Sequence, residues 1–163
     1  MTTTTYHGSR NGGSTIVIDR FDGFGGLFSG SAEVARSHGD HVYEITSPRP
    51  LSAAKLFSIL HTTHDAESEA AATAAYDAAL KIADGCEEIA ERIVSAECDH
   101  DDLSDEALAV LSARVDETWC VSWELQRLRG QLAARLGYTS VEMRDEHGQT
   151  WLCLPGCTIV RVG

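Results

Sequence analysis

The chain has 163 residues, enough for one domain with its own hydrophobic core, and its 43% hydrophobic and 23% charged residues exclude global disorder. A formal charge of −12 opposes direct binding to nucleic acid phosphates and favours a basic protein partner, or the imitation of DNA. No apolar run approaches the roughly 20 residues of a membrane span, and the opening MTTTTYHGSR lacks the basic-then-apolar order of a secretory leader, so a cytoplasmic protein without membrane contact is expected.

Short apolar runs interrupted by glycine dominate the first third. Thr15 to Ile18, Gly25 to Phe28 and His41 to Ile45 read as strands. Between the last two, Ser31 caps a short helix with Glu33 in its first turn and Gly39 at its end. After Pro48 and Pro50 the composition turns alanine-rich and acidic, with helical spacing of apolar residues from Leu51 to about Arg135. One helix begins near Ser52, a second runs to Ala83, and Gly85 parts it from a third starting at Cys86. Asp99 to Leu103 reads as an exposed turn, and Ser104 caps a fourth helix. The last, from Trp119 to Leu136, aligns Leu125, Leu128, Leu132 and Leu136 on one face and stops at Gly137. Thr139 to Met143 and Thr150 to Leu154 then form a hairpin about Gly148, and Cys157 to Val162 supplies a final strand of what reads as a meander.

The cysteines (Cys86, Cys98, Cys120, Cys153 and Cys157) are odd in number and contain no CxxC pair, which argues for reduced thiols rather than a disulfide framework or zinc knuckle. His61 and His64 stand at a spacing that can share a helix face, but no third ligand accompanies them, so no metal is expected. Neither a GxGxxG after a strand nor a GxxxxGK[ST] is present.

Three elements carry chemistry: YHGS at Tyr6 to Ser9, GGLF at Gly25 to Phe28 with the helix and strand behind it, and GYTSVEMRDEHGQTWLCLPG from Gly137 to Gly156. Their order resembles the ADP-ribosyltransferases, and residues 5–51 and 117–163 are similar to the type I-F anti-CRISPR ADP-ribosyltransferase family, including SPRPL at Ser47 to Leu51. The resemblance implies an α+β fold with a compact sheet core and a helical insertion. It further implies one domain over residues 1–163: strands with NAD-binding elements in 1–50, helices in 51–136, and strands with a catalytic turn in 137–163. Residues 52–116 carry no motif that the resemblance places.

The implied activity is mono-ADP-ribosyl transfer from NAD to the large, PAM-recognising subunit of a type I-F CRISPR surveillance complex, blocking target DNA. A stoichiometric acidic DNA mimic and an ADP-ribosylating toxin with another acceptor are the alternatives. Cleavage at the nicotinamide–ribose bond passes through an oxocarbenium-like state, as glycoside hydrolysis does. The nicotinamide leaves a cation and becomes neutral, so no general acid is needed, and one carboxylate suffices to stabilise charge and accept a proton from the nucleophile. By position in the family that acid is Asp145, with Glu142 as the accompanying choice and Glu146 and Glu124 as competitors. The NAD-binding set is Tyr6, His7, Gly8, Ser9, Gly26, Leu27, Phe28 and Tyr138. His7 meets a ribose hydroxyl, Gly8 admits the dinucleotide to the backbone, and Tyr6, Phe24, Phe28 and Tyr138 offer aromatic walls. Arg20, Arg36 and Arg49 are open choices for the pyrophosphate.

Overall fold

The computed structural model describes residues 2–10, 16, 18, 26–95, 102–115, 120–145 and 148–163, the side chain at 145 excepted. In chain order the elements are β1 (Thr3–Ser9), β2 (Leu27–Ser29), α1 (Ala32–His38), β3 (His41–Ser47), β4 (Pro50–Leu51), α2 (Ala53–His61), α3 (Ala66–Ile82), α4 (Glu87–Ser95), α5 (Asp105–Ser112), α6 (Val121–Arg135), β5 (Ser140–Asp145), β6 (Gly148–Cys153) and β7 (Thr158–Arg161). They build an α+β fold of two sheets, one ordered β1-β3-β7 and one ordered β2-β6-β5-β4, with a helical region between the outer parts of the sequence.

Local chemistry starts α1, α2 and α5 where the serines predict. Ser31, Ser52 and Ser104 each accept a hydrogen bond from the backbone amide three residues on, satisfying a donor that the first helical turn leaves open. Glu88 on α4 binds both the amide and the hydroxyl of Ser104 and so docks the start of α5. At the far end of α6, Gly137 takes the expected left-handed conformation at φ 81°.

The four-stranded sheet has two differently employed faces, because alternation sends successive side chains to opposite sides. Val141, Met143 and Leu152 join Leu56, Ile89, Leu111, Leu125, Leu128 and Leu132 in a core beneath the helices. Trp151, Cys153 and Leu27 turn the other way and meet Ile45 of the three-stranded sheet, along with Ile18. The sheets are also pinned by buried hydroxyls: Ser47 lies 2.8 Å from Thr139 Oγ1 and accepts from Ser140 at 2.7 Å.

Three expectations change. Ile16 and Ile18 have no strand conformation and pack instead in the core between the sheets, while Thr15 and Val17 lie outside the described residues. Gly39 ends α1 with extended backbone at φ 175°, not a left-handed cap; a Cβ there would stand 2.3 Å from the Ser9 carbonyl oxygen, so close packing demands the glycine. The terminal strands do not form a meander. β5 and β6 pair as a hairpin, but after Pro155 and Gly156 the chain crosses to the other sheet, where β7 pairs with β3.

Candidate functional site

At the end of β2 the two sheets touch. Tyr6 of β1 and Gly30, just past β2, exchange both backbone hydrogen bonds at 2.9 Å. A cavity of about 280 Å³ opens beside this bridge, lined by Tyr6, His7, Gly8, Phe28, Ser29, Gly30, Val34, Ala35, His38 and Thr150. It lies near the lower end of the ~300–1,000 Å³ typical of small-molecule pockets.

His7 is held in one orientation. Its Nδ1–H donates to the Phe28 carbonyl oxygen at 2.8 Å, which in the neutral ring makes Nε2 the acceptor nitrogen. Burial holds the imidazole below its ordinary value of 6.5; the Phe28 carbonyl opposes that shift and the electrostatic influence of the nearby His38 adds to it. The ring is therefore neutral at physiological pH.

The structure brings Tyr6, His7, Gly8 and Phe28 together, and leaves other expected binding residues elsewhere. The Tyr6 hydroxyl is directed to Glu44 on the neighbouring strand, 3.4 Å away. Gly8 lines the cavity, yet a Cβ on it would meet the Ala35 carbonyl oxygen at 1.7 Å, so its lack of a side chain is required by the approach of α1. Ser9 pairs with His41 at the end of β1. Gly26 packs against Leu152 and the Cys153 carbonyl, and Leu27 is buried between the sheets. Tyr138 lines a second cavity of about 540 Å³ with Arg49, Lys55 and Trp151 among its walls; the Lys55 ammonium sits 4.9 Å above its ring.

The acids separate in the same way. Glu142 pairs across the hairpin with Trp151, and its carboxylate accepts from the Ala53 amide at 2.8 Å, capping α2 instead of lining the His7 cavity. Glu124 is 3% exposed and bound through two 2.6 Å hydrogen bonds to Arg127, with Arg114 at 3.5 Å. Its role is to neutralise guanidinium groups among the helices. Asp145 stands at the end of β5, its backbone opposite Gly148, and Gly148 leads two residues later to Thr150 in the cavity wall. Glu146, Phe24 and Arg20 lie outside the described residues.

Arg129 was not foreseen as a site residue, and it is fully buried. It donates from Nε to the Glu142 carbonyl at 3.0 Å and from Nη1 to the Ile93 carbonyl at 2.5 Å. The first of these oxygens needs a partner because β4 ends at Leu51, opposite Val141, and leaves the rest of β5 unpaired on that side. His61 ends α2 with its ring tilted 45° against that of Phe57, centroids 4.4 Å apart, whereas His64 lies beyond that helix, so the two share no helix face. Cys86, Cys120, Cys153 and Cys157 are all free thiols.

Two sheets meeting at a histidine-bearing strand and a short helix accord with an ADP-ribosyltransferase, and comparison with known proteins bears this out. The profile of the anti-CRISPR type I-F ADP-ribosyltransferase AcrIF11 matches residues 3–161. A solved crystal structure described as that of an anti-CRISPR protein superimposes with a TM-score of 0.73 at 39% identity, over 99% of this chain and 96% of that one. No match was found among proteins with curated descriptions. The chain belongs to the AcrIF11 family of type I-F anti-CRISPR ADP-ribosyltransferases. Such coverage spans the helical region of the chain as well.

Proposed function

We propose that this enzyme transfers ADP-ribose from NAD to the large, PAM-recognising subunit of a type I-F CRISPR surveillance complex inside the host cell. The observation that carries the reading is His7, locked by the Phe28 carbonyl into the neutral tautomer at the wall of a cavity sized for the nicotinamide–ribose half of a dinucleotide. The remainder of NAD then lies along the open side.

In this reading His7 Nε2 accepts a ribose hydroxyl and fixes the sugar, and Phe28 covers one side of the cavity against water. NAD supplies the ADP-ribosyl group, with nicotinamide leaving as a neutral molecule. The carboxylate of Asp145 stabilises the positive charge that grows on the ribose and takes the proton of the incoming nucleophile. Glu142 has no part in the transfer, because its carboxylate is committed to the start of α2. An attached ADP-ribose brings two phosphate charges and considerable bulk to a basic PAM-reading groove, enough to turn DNA away.

Incubation with labelled NAD and a purified type I-F complex tests this. Wild type and Glu142→Gln should label the large subunit comparably, whereas Asp145→Asn and His7→Ala should lose at least 100-fold, on the order of a general-base contribution. Inhibition without NAD that survives in both inactive variants would instead establish a stoichiometric mimic. Label on unrelated proteins alone would establish a different acceptor.

A further inference from the structure

Thr150 stands out in the cavity wall. It is 5% exposed, and its Oγ1 is shut off from water with no hydrogen-bond partner among the described residues. Its methyl carbon lies 3.8 Å from the point a Cβ on Gly30 would occupy, beside Val34, so the methyl is the part turned to the cavity. Leaving a buried hydroxyl unpaired is unfavourable, and valine would fill the same space without that penalty. A threonine held there without a partner is explained by a partner that arrives.

We propose that Thr150 binds the ligand of the His7 cavity. Methyl and hydroxyl sit on one carbon, so a turn about χ1 from one staggered well to the next carries Oγ1 to the place the methyl held and the methyl to the place of the Cβ hydrogen. Oγ1 then faces the cavity and hydrogen-bonds a neutral polar group on the nicotinamide–ribose half, either the carboxamide or a ribose hydroxyl. This inference rests on the reading of the cavity as the NAD site.

Calorimetric titration of Thr150→Val and Thr150→Ser with NAD, together with thermal unfolding of the free proteins, provides the test. Thr150→Val should weaken NAD binding about fivefold to tenfold, the worth of one hydrogen bond, while the unliganded protein unfolds at the same or a higher temperature. Thr150→Ser should bind within about twofold of wild type by the same measure. Parallel titrations with nicotinamide and with ADP-ribose identify the bonded group, since the loss follows whichever probe carries it. Equal binding of NAD by wild type and Thr150→Val, or a lower unfolding temperature in the free valine variant, overturns the proposal while leaving the NAD reading intact. Absence of NAD binding by wild type overturns both.

Discussion

His7 couples the cavity to acidity. Its imidazole resists protonation in the folded chain because burial disfavours the charged ring, whereas in the unfolded chain it takes up a proton near pH 6.5. The unfolded state thus binds more protons below that pH, so stability falls as the medium is acidified through 6.5 and the decline ends once the folded ring also protonates. Unfolding temperatures measured between pH 7.5 and pH 5 should fall more steeply for wild type than for His7→Gln. Parallel curves would show that the ring titrates alike in both states. Labelling activity should fade only at the acidic end of that decline, where the folded ring itself protonates, since protonated Nε2 no longer accepts a hydrogen bond.

Among the elements, α1 and β1 are joined by absence of side chains. Gly8 and Gly39 each bring backbone against backbone, at Ala35 and at Ser9, and this contact places Val34, Ala35 and His38 around the cavity. Gly8→Ala should cost about 3 kcal/mol, the upper part of the overpacking range, because a carbonyl has no rotamer with which to yield. For a chain of this size that corresponds to a fall of roughly 6–12 °C in unfolding temperature, measurable by circular dichroism, with a matching loss of NAD affinity. A variant that unfolds like wild type would mean that α1 moves aside at little cost. The sequence marked Gly8 for the approach of a ligand and Gly39 for a left-handed cap, whereas the structure requires a glycine at each for close backbone packing. A turn residue and a residue in close contact look alike in a single chain, and only the position of the partner backbone separates them.

At the scale of the whole molecule, legibility follows range. Caps at Ser31, Ser52, Ser104 and Gly137 are decided within one helical turn, and all could be read directly. The hairpin about Gly148 was visible for the same reason, from a residue suited to positive φ between two β-like runs. The destination of β7 was not, because a strand of four residues pairs wherever an edge is free, and that edge belongs to β3, more than a hundred residues earlier. Arg129 and Glu142 were obscure on similar grounds. Each answers an unpaired backbone group on a distant element, the Ile93 carbonyl and the Ala53 amide, and neither partner announces itself in sequence. That His7, Gly8 and Phe28 share one cavity was anticipated from an ordered set of motifs, which carried information that spacing alone does not.

The pair of backbone hydrogen bonds between Tyr6 and Gly30 makes the cavity wall a stitched seam between two separately built sheets. Anything gripping both edges tightens that seam, and its two amide protons become a built-in gauge of occupancy. Their exchange with deuterated solvent should slow on addition of NAD, while the amides joining β3 to β7 keep their rate. Uniform slowing across both sheets would indicate general stabilisation instead of closure at this line. The gauge reads the ligand without turnover, so it works equally in an enzyme whose catalytic acid has been removed.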